Sequence, residues 1–365
     1  MTATDDLPER APGATIWDSV VGQPLAVAHL RAAALAPVHA YLFVGPPGST
    51  KDEAARAFAA ALMSPDGQQD PTCRDARLAL VGEHPDVREV QRTGPAISAE
   101  QAREIVRRAA LAPVEGDRKV MILHEFHLLR PEGAALLLKT VEEPPPSTTF
   151  VVLADFIPPD LITISSRCVR IEFRPLPSAV LQAQLMTEGV DTVTATTVVA
   201  VANGDLTRAR LLAADPALAE RRRAFAELPQ RLDGSGSAIM RAVDDLLARI
   251  DAASAPLTTA HAKEVADLDA RIEQLGERGS GRRLLEERHK RELRRHRTDE
   301  LRSGLAVLAG AYRDALRDGD AQRPDEAVAA VHRIHASIEA MERNPNEQLL
   351  LQSLLWSLPG LPAPA

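Results

Sequence analysis

The chain has 365 residues, of which 45% are hydrophobic and 26% charged, and its formal net charge is −8 at pH 7. This size and composition are ordinary for a soluble protein of two or three domains, each with its own core. The acidic balance argues against a generally basic nucleic-acid binder, and an aromatic content of 3% argues against a stacking surface for single strands.

Short apolar runs alternate with helical patterns in the first half of the chain. The predicted strands are residues 40–44, 86–90, 119–123, 149–153 and 168–173, and the predicted helices are residues 51–63, 98–110 and 131–142. Ser98 and Gln101 have the spacing of a capping box, and Pro131 suits the first turn of a helix. Alternating strands and helices predict an α/β domain with a parallel sheet covered by helices.

Strand patterns fade after residue 173, and the rest of the chain has helical periodicity. We therefore predict three domains: an α/β domain over residues 1–174, a small helical lid over 175–213 and an all-α C-terminal domain over 214–365. Glycine and serine predict turns at 234–236 and 279–281.

The most informative segment is the sequence GPPGSTKD, which starts at Gly45 between a predicted strand and a predicted helix. A working phosphate-binding loop reads G-x-x-x-x-G-K-[ST]: backbone N–H groups surround the phosphates, the lysine reaches the outer phosphates and the hydroxyl holds Mg²⁺. Gly45, Gly48 and Lys51 are present, but Thr50 replaces the last glycine and Asp52 replaces the hydroxyl residue. A β-branched residue in this turn adds strain, and a carboxylate repels phosphate. We predict a phosphate loop (the P-loop, residues 45–52) that has lost ATP turnover.

A second candidate nucleotide element is the apolar run 119–123 followed by His124 and Glu125. A strand that ends in Asp-Glu would supply a carboxylate for Mg²⁺ and a glutamate that activates water. His124 replaces the aspartate, and a neutral imidazole is a poor ligand for a hard cation. Taken alone, the segment equally suits a buried strand with polar residues at its tip. His124 and His127 are not expected to share a face, so we predict no zinc site there.

Arg167 lies between a predicted helix and the last predicted strand. A guanidinium there could reach a neighbouring subunit and neutralise charge on a transferring phosphate. The alternative is a solvated surface arginine.

A basic run covers residues 282–297 and contains eight Lys or Arg and three Glu. A solvated helix face with Glu–Arg ion pairs is the favoured interpretation. Contact with DNA phosphates is the alternative.

Several motifs together resemble one family: WDSVVGQ at 17–23, HAYLFVGPPG at 39–48, HPDV at 84–87, AALLLKTVEEPP at 134–145 and SRC at 166–168. By these motifs the chain is similar to the delta-prime subunits of the bacterial DNA polymerase III clamp loader, which belong to the AAA+ group. The run that ends in Glu-Glu-Pro-Pro is the most distinctive. The resemblance covers about residues 15–212.

The resemblance implies an AAA+ P-loop domain, a lid and a C-terminal collar in a five-part ring. Such a ring opens a sliding clamp and places it on primed DNA. The implied partners are the motor and delta subunits and, through the complex, the clamp and primed DNA. The subunit would be an ATP-inert stator whose Arg167 acts in trans on ATP held by an adjacent motor. Arg208, in the lid, lies near the position of a second phosphate-sensing arginine in related ATPases.

Cofactors are not expected. The departures at Thr50, Asp52 and His124 argue against Mg·ATP at the chain's own site. Many relatives bind zinc through four cysteines before the His-Pro-Asp motif, but only Cys73 is present in that region, and the other cysteine is Cys168. A polymerase label would describe the holoenzyme and not chemistry done by this chain.

Localisation and two alternative functions complete the predictions. No apolar run is long enough to span a membrane and the acidic N-terminus (Asp5, Asp6, Glu9) is unlike a signal peptide, so we expect a cytoplasmic protein without membrane contact. The chain could instead be an ATP-hydrolysing motor that relies on Lys51 and Glu125, or a DNA-binding adaptor that uses the basic helix at 282–297.

Overall fold

The computed structural model describes residues 14–64, 70–92, 96–275, 282–319, 323–341 and 345–362. The acidic N-terminal residues and the turn predicted at 279–281 lie outside the described residues. The chain divides into two compact units, Met1–Arg210 (unit 1) and Leu211–Ala365 (unit 2).

Unit 1 contains one parallel sheet with the strand order β2-β3-β4-β1-β5. The strands are β1 (Ala40–Val44), β2 (Val87–Val90), β3 (Lys119–Leu123), β4 (Thr148–Ala154) and β5 (Val169–Glu172). Every strand prediction is confirmed to within one residue at each end. Parallel neighbours need crossover connections, which the intervening helices provide.

Six α-helices are described between the strands of unit 1 and before its first strand: α1 (Pro24–Leu35), α2 (Lys51–Met63), α3 (Arg74–Val81), α4 (Ala99–Ala110), α5 (Pro131–Glu142) and α6 (Ile162–Ser165). Short 3₁₀ turns lie at Phe126–Leu128 and Pro159–Leu161. The predicted bounds of α2 and α5 are confirmed, and Ser98 caps α4 by accepting the Gln101 N–H at 3.2 Å. The side-chain amide of Gln101 donates to Gln91 O at 2.6 Å.

Both faces of the central strands β1, β3 and β4 are buried. On β1, Tyr41 and Phe43 pack on one face, where the Tyr41 ring lies 4.7 Å from that of Phe58 in α2. Leu42 points to the opposite face and packs in the cluster that contains Leu137 of α5. Successive side chains of a strand alternate between faces, so a central strand covered by helices on both sides is apolar throughout.

Helices make up the rest of the described chain. They are α7 (Ser178–Thr187), α8 (Thr192–Ala202), α9 (Leu206–Ala213), α10 (Leu218–Ala226), α11 (Leu228–Arg231), α12 (Gly236–Ala252), α13 (Ala255–Leu275), α14 (Arg282–Asp318), α15 (Pro324–Ala340) and α16 (Glu347–Ser357). The α/β fold followed by an all-α region is thereby confirmed. The division into three domains stays a prediction, since α7, α8 and the start of α9 belong to the same compact unit as the sheet.

The core of unit 2 contains a buried ionic triad. The Arg221 guanidinium lies 2.6 Å from Asp215 Oδ2 and 2.6 Å from Glu300 Oε2, and all three side chains are at most 7% exposed. Charges removed from water are costly unless they are paired, and here one arginine serves two carboxylates. Arg221 therefore fixes the segment before α10 against α14.

Replacing Arg221 with alanine should lower the free energy of unfolding of unit 2 by about 3–5 kcal/mol, because two carboxylates would be left buried without their cation. Urea unfolding followed by far-UV circular dichroism measures the change. The matched control is Arg241→Ala on the exposed face of α12, which should shift the free energy by less than about 0.5 kcal/mol. A loss of under about 1 kcal/mol for Arg221→Ala would contradict a structural role for the triad.

Candidate functional site

The P-loop follows β1 and leads directly into α2. Thr50, the residue in place of the last glycine, has φ 61° and ψ 21°, which is the left-handed conformation. That conformation costs a residue with a Cβ about 1–2 kcal/mol. Its side chain is buried, and its Oγ1 donates to Val21 O at 3.1 Å, a bond that glycine could not make. The turn is therefore held by tertiary contacts and not by a glycine.

The retained glycines lie at close approaches of the backbone. A Cβ on Gly45 would lie 2.5 Å from Phe173 O, and a Cβ on Gly48 would lie 1.8 Å from Asp205 Oδ1. The N–H of Leu206 also donates to Gly48 O at 3.1 Å. The N-terminal end of α9 therefore packs on the P-loop and brings the Asp205 carboxylate against it.

Lys51 makes bonds within its own chain. Its ammonium lies 2.9 Å from Asp155 Oδ1 and donates to Pro46 O at 3.1 Å, and the residue is 5% exposed. Asp155 follows β4, and its N–H donates to Nδ1 of His127 at 3.1 Å. In a working P-loop this ammonium would contact phosphate. Here it is paired with a carboxylate.

His124, at the end of β3, joins two carboxylates. Its Nδ1 lies 3.0 Å from Asp52 Oδ1 and its Nε2 lies 3.0 Å from Glu89 Oε2. Glu89 also accepts from Arg56 Nε at 2.6 Å and Nη2 at 3.0 Å. Ionised carboxylates only accept hydrogen bonds, so both ring nitrogens must donate and the ring must be an imidazolium.

Electrostatics agree with a charged His124. Burial disfavours the imidazolium, but hydrogen bonds and charges from Asp52 and Glu89 outweigh it and raise the pKa of His124 to about 9. Burial likewise favours a neutral Glu89, yet its bonds with His124 and Arg56 lower the pKa of Glu89 to about 2. From the sequence, His124 was expected to be a neutral imidazole and the carboxylate of Asp52 was expected to repel phosphate. In the structure these two residues form an ion pair.

Glu125, the candidate water-activating residue, is also paired. Its carboxylate accepts from Arg92 Nε at 2.7 Å and Nη2 at 3.1 Å, and the backbone at Glu125 has φ 49°. This bidentate geometry is the strong form of an arginine–carboxylate bond. The left-handed backbone directs the segment into the following 3₁₀ turn.

The residues that would contact Mg·ATP in a working pocket have partners within this chain. The lysine, the residue in the hydroxyl position and the glutamate are bonded to Asp155, His124 and Arg92 respectively. A metal would compete with the imidazolium for Asp52, and a triphosphate would approach the carboxylates of Asp155 and Asp205. Like charges at short range repel, and phosphate would have to displace Lys51 from its ion pair with Asp155, in which the lysine side chain is 6% exposed.

Among the described residues, no group of three or more His, Cys, Asp or Glu is arranged to hold a metal ion. Cys73 lies at the N-terminus of α3, and the Sγ of Cys168 donates to Ile164 O at 3.4 Å. No helix in the described part of the chain combines the length and apolar character that crossing a membrane would require.

Arg167 lies at the opposite end of the sheet from the P-loop. β1 and β5 are parallel, with Tyr41 paired to Val169 and Val44 paired to Glu172. The P-loop follows Val44, whereas Arg167 precedes Val169. Three strand steps of about 3.3 Å separate these ends of the strands by roughly 10 Å.

The guanidinium of Arg167 is partly exposed. It donates to Thr163 O at 2.7 Å and forms an ion pair with Glu142, the first glutamate of Glu-Glu-Pro-Pro. Its side chain is 38% exposed. Exposed pairs of this kind contribute about 0–1 kcal/mol to stability.

Arg208, for which the family resemblance implied a phosphate-sensing role, lies in the first turn of α9. Its N–H donates to Asp205 Oδ1 at 2.8 Å, as expected when an aspartate caps a helix. Asp205 and Leu206, at the N-terminal end of this helix, lie against Gly48 of the P-loop.

Four partners of the site were not predicted from the sequence: Arg56, Glu89, Arg92 and Asp155. Glu89 lies inside a β-strand, and Asp155 follows the last residue of another. A charged residue in or just after a strand of a parallel sheet is the signal that could have found Glu89 and Asp155, because the carboxyl ends of such strands line the site.

The basic run lies on α14, and most of its charges have carboxylate partners. Arg282 Nη1 lies 2.9 Å from Asp269, and Arg297 Nε lies 2.6 Å from Glu347. Arg288 pairs with Glu264, Lys290 with Glu287, and Arg295 with Asp299. These contacts favour the ion-paired interpretation over a surface for DNA.

The charge of His124 predicts a pH dependence of the stability of unit 1. Its pKa is higher in the folded protein than the usual 6.5, so its contribution is complete below that pH and is lost as the pH rises through about 9. We expect the loss to reach up to about 3 kcal/mol, since one pKa unit corresponds to about 1.4 kcal/mol. Urea unfolding can follow buried Trp17 in a Trp356→Phe background. A His124→Asn variant should lack this part of the pH dependence, and an equal dependence in both proteins would contradict the assignment.

Residues 23–177 match the family described as "DNA polymerase III, delta subunit". The chain is 30% identical over 154 residues to the DNA polymerase III subunit delta' of Bacillus subtilis, which covers 42% of this chain and 47% of that protein. It is 33% identical over 175 residues to the subunit tau of the same organism, covering 46% of this chain and 31% of that protein. The chain therefore matches less than half the length of either relative.

A crystal structure of a gamma subunit-related protein of DNA polymerase III from Thermotoga maritima covers 90% of this chain and 97% of that one, with 15% identity and a TM-score of 0.42. The family resemblance inferred from the sequence motifs is confirmed for residues 23–177 by the family match and by the two Bacillus relatives.

Proposed function

We propose that this chain, whose residues 23–177 form a domain of the DNA polymerase III clamp-loader family, is a delta-prime subunit. In this proposal it is an ATP-inert stator that supplies Arg167 in trans to ATP held by an adjacent motor subunit. The other clamp-loader subunits are its direct partners in the cytoplasm. The sliding clamp and primed DNA are reached through the complex, with the helical C-terminal region acting as collar.

The position of Arg167 carries this proposal. A guanidinium at the end of the sheet opposite to the P-loop, partly exposed, has the reach for a phosphate on another chain but not for one in its own pocket. Arginine presents a planar set of donors that matches phosphate oxygens, and its charge stabilises the developing charge on a transferring phosphoryl group. The exposed ion pair with Glu142 keeps the side chain ordered until a phosphate takes its place.

The ion pairs made by the P-loop residues support the proposal that this chain does not hydrolyse ATP. Similarity alone does not separate delta' from tau, because both relatives match at about the same identity. A motor would need Lys51 for phosphate and Glu125 for water, and both are bonded to partners of their own chain. The contacts therefore favour a stator over a motor.

Replacing Arg167 with alanine should leave assembly of the loader intact and slow its ATP turnover. Arginine fingers contribute about 10³–10⁵ in rate at a single site, which is an upper guide here because a loader has several sites. The measurement is steady-state ATP hydrolysis by the loader reconstituted with clamp and primed DNA.

The matched control is Arg170→Ala, an exposed arginine on β5 that pairs with Glu172 at 2.7 Å. It should hydrolyse ATP at the wild-type rate. Unchanged turnover in the Arg167→Ala loader, with assembly verified by gel filtration, would remove the proposed role.

The isolated chain should show no Mg²⁺-dependent binding of ATP, because Lys51 and Asp52 are already paired inside the pocket. Titration with a fluorescent ATP analogue, with and without Mg²⁺, measures this. Tight binding that requires Mg²⁺ would instead support the motor.

A further inference from the structure

We propose that the His124 imidazolium takes the place of a metal cation in the degenerate pocket, where it ties α2 to the edge strand β2 in a form that needs no metal. Asp52, which departs from the P-loop pattern, and His124, which replaces an aspartate after β3, then compensate each other. This inference concerns the fold of unit 1 and does not depend on whether Arg167 acts on a neighbour.

The first argument is the geometry of the bridge. The two ring nitrogens lie 3.0 Å from carboxylates that come from different elements, Asp52 in the first turn of α2 and Glu89 in β2. The His124 side chain is 11% exposed, and that of Glu89 is 14% exposed. A divalent metal would bind carboxylates in the same bridging way, but an imidazolium does so with two directed hydrogen bonds.

The second argument is the local charge. Asp52 and Glu89 are balanced by His124 and Arg56, and Lys51 is balanced by Asp155. Without His124, the Asp52 carboxylate would face Glu89 with one positive charge fewer between them.

The third argument is the place of the bridge in the sheet. β2 is an edge strand and pairs only with β3. The contacts from Glu89 to His124 and to Arg56 attach this edge to β3 and to α2 by side chains as well. The pocket has thus become part of the scaffold that keeps unit 1 rigid.

The test is a double-mutant cycle on the full chain. Asp52→Asn, His124→Asn and the double variant are unfolded with urea, and Trp17 fluorescence is followed in a Trp356→Phe background. We expect each single substitution to raise the unfolding equilibrium constant, and the double variant to fall short of the product of the two effects by a factor of about 10 or more. A product equal to the double effect would overturn the proposal.

The control cycle pairs His124→Asn with Glu100→Gln, an exposed glutamate in the first turn of α4. Those two substitutions should multiply, because their side chains do not touch the same groups. A comparable coupling in this control would show that the cycle reports a general effect, and the proposal would fail.

A second measurement on the wild-type protein does not depend on the stability of the His124 variants. Nitrogen-15 NMR of the histidine rings should show a ring protonated at both nitrogens at pH 8. Asp52→Asn removes one of its two carboxylates and should lower the pH at which that ring loses its proton. If every ring is neutral at pH 8, or if the pH of deprotonation is unchanged in Asp52→Asn, the bridge is wrong. ATP turnover tests Arg167 separately, so failure of one proposal is distinguishable from failure of the other.

Discussion

The charges of the degenerate pocket are satisfied by one another, and the rest of the account depends on this pairing. A buried charge is stable only if an opposite charge and hydrogen bonds replace the water it has lost. In most P-loops, phosphates and a metal provide part of that compensation. Here Asp155, His124 and Arg92 provide it to Lys51, Asp52 and Glu125. The charged side chains of the pocket are therefore paired in the absence of a nucleotide.

A parallel sheet separates the two ends of its strands, so the two proposed properties of this chain, a P-loop without ATP turnover and an arginine that acts in trans, belong to different ends of the sheet. The P-loop lies at the carboxyl end of β1, and Arg167 lies before the amino end of β5. Substitutions at the P-loop end of the sheet do not alter the end at which Arg167 lies. The proposed inert pocket and the partly exposed guanidinium are compatible because they lie at opposite ends of the strands.

The sequence predicted the regular elements of the sheet well, and the structure shows why. β1, β3, α2 and α5 have strong apolar patterns and clear ends, so their bounds were predicted exactly. α1 was missed because its sequence, PLAVAHLRAAAL, is apolar on most sides and lacks a polar face. α3 was missed because it is short.

The contacts of the site were harder to predict than its elements. Asp52 and His124 are 72 positions apart, and each alone is a departure from a motif. Only the fold shows that they lie within hydrogen-bond distance. A motif records which residue types a reaction needs, whereas the partner that compensates a substitution depends on tertiary structure.

The measurement that tests the central claim most directly is a structure of the assembled loader with Mg²⁺ and a non-hydrolysable ATP analogue. The account predicts the Arg167 guanidinium within hydrogen-bond distance of a phosphate oxygen on the adjacent subunit, with the Asp52–His124–Glu89 bridge intact. Mg²⁺ and nucleotide ordered in this chain's own P-loop, with Arg167 directed into solvent, would contradict it.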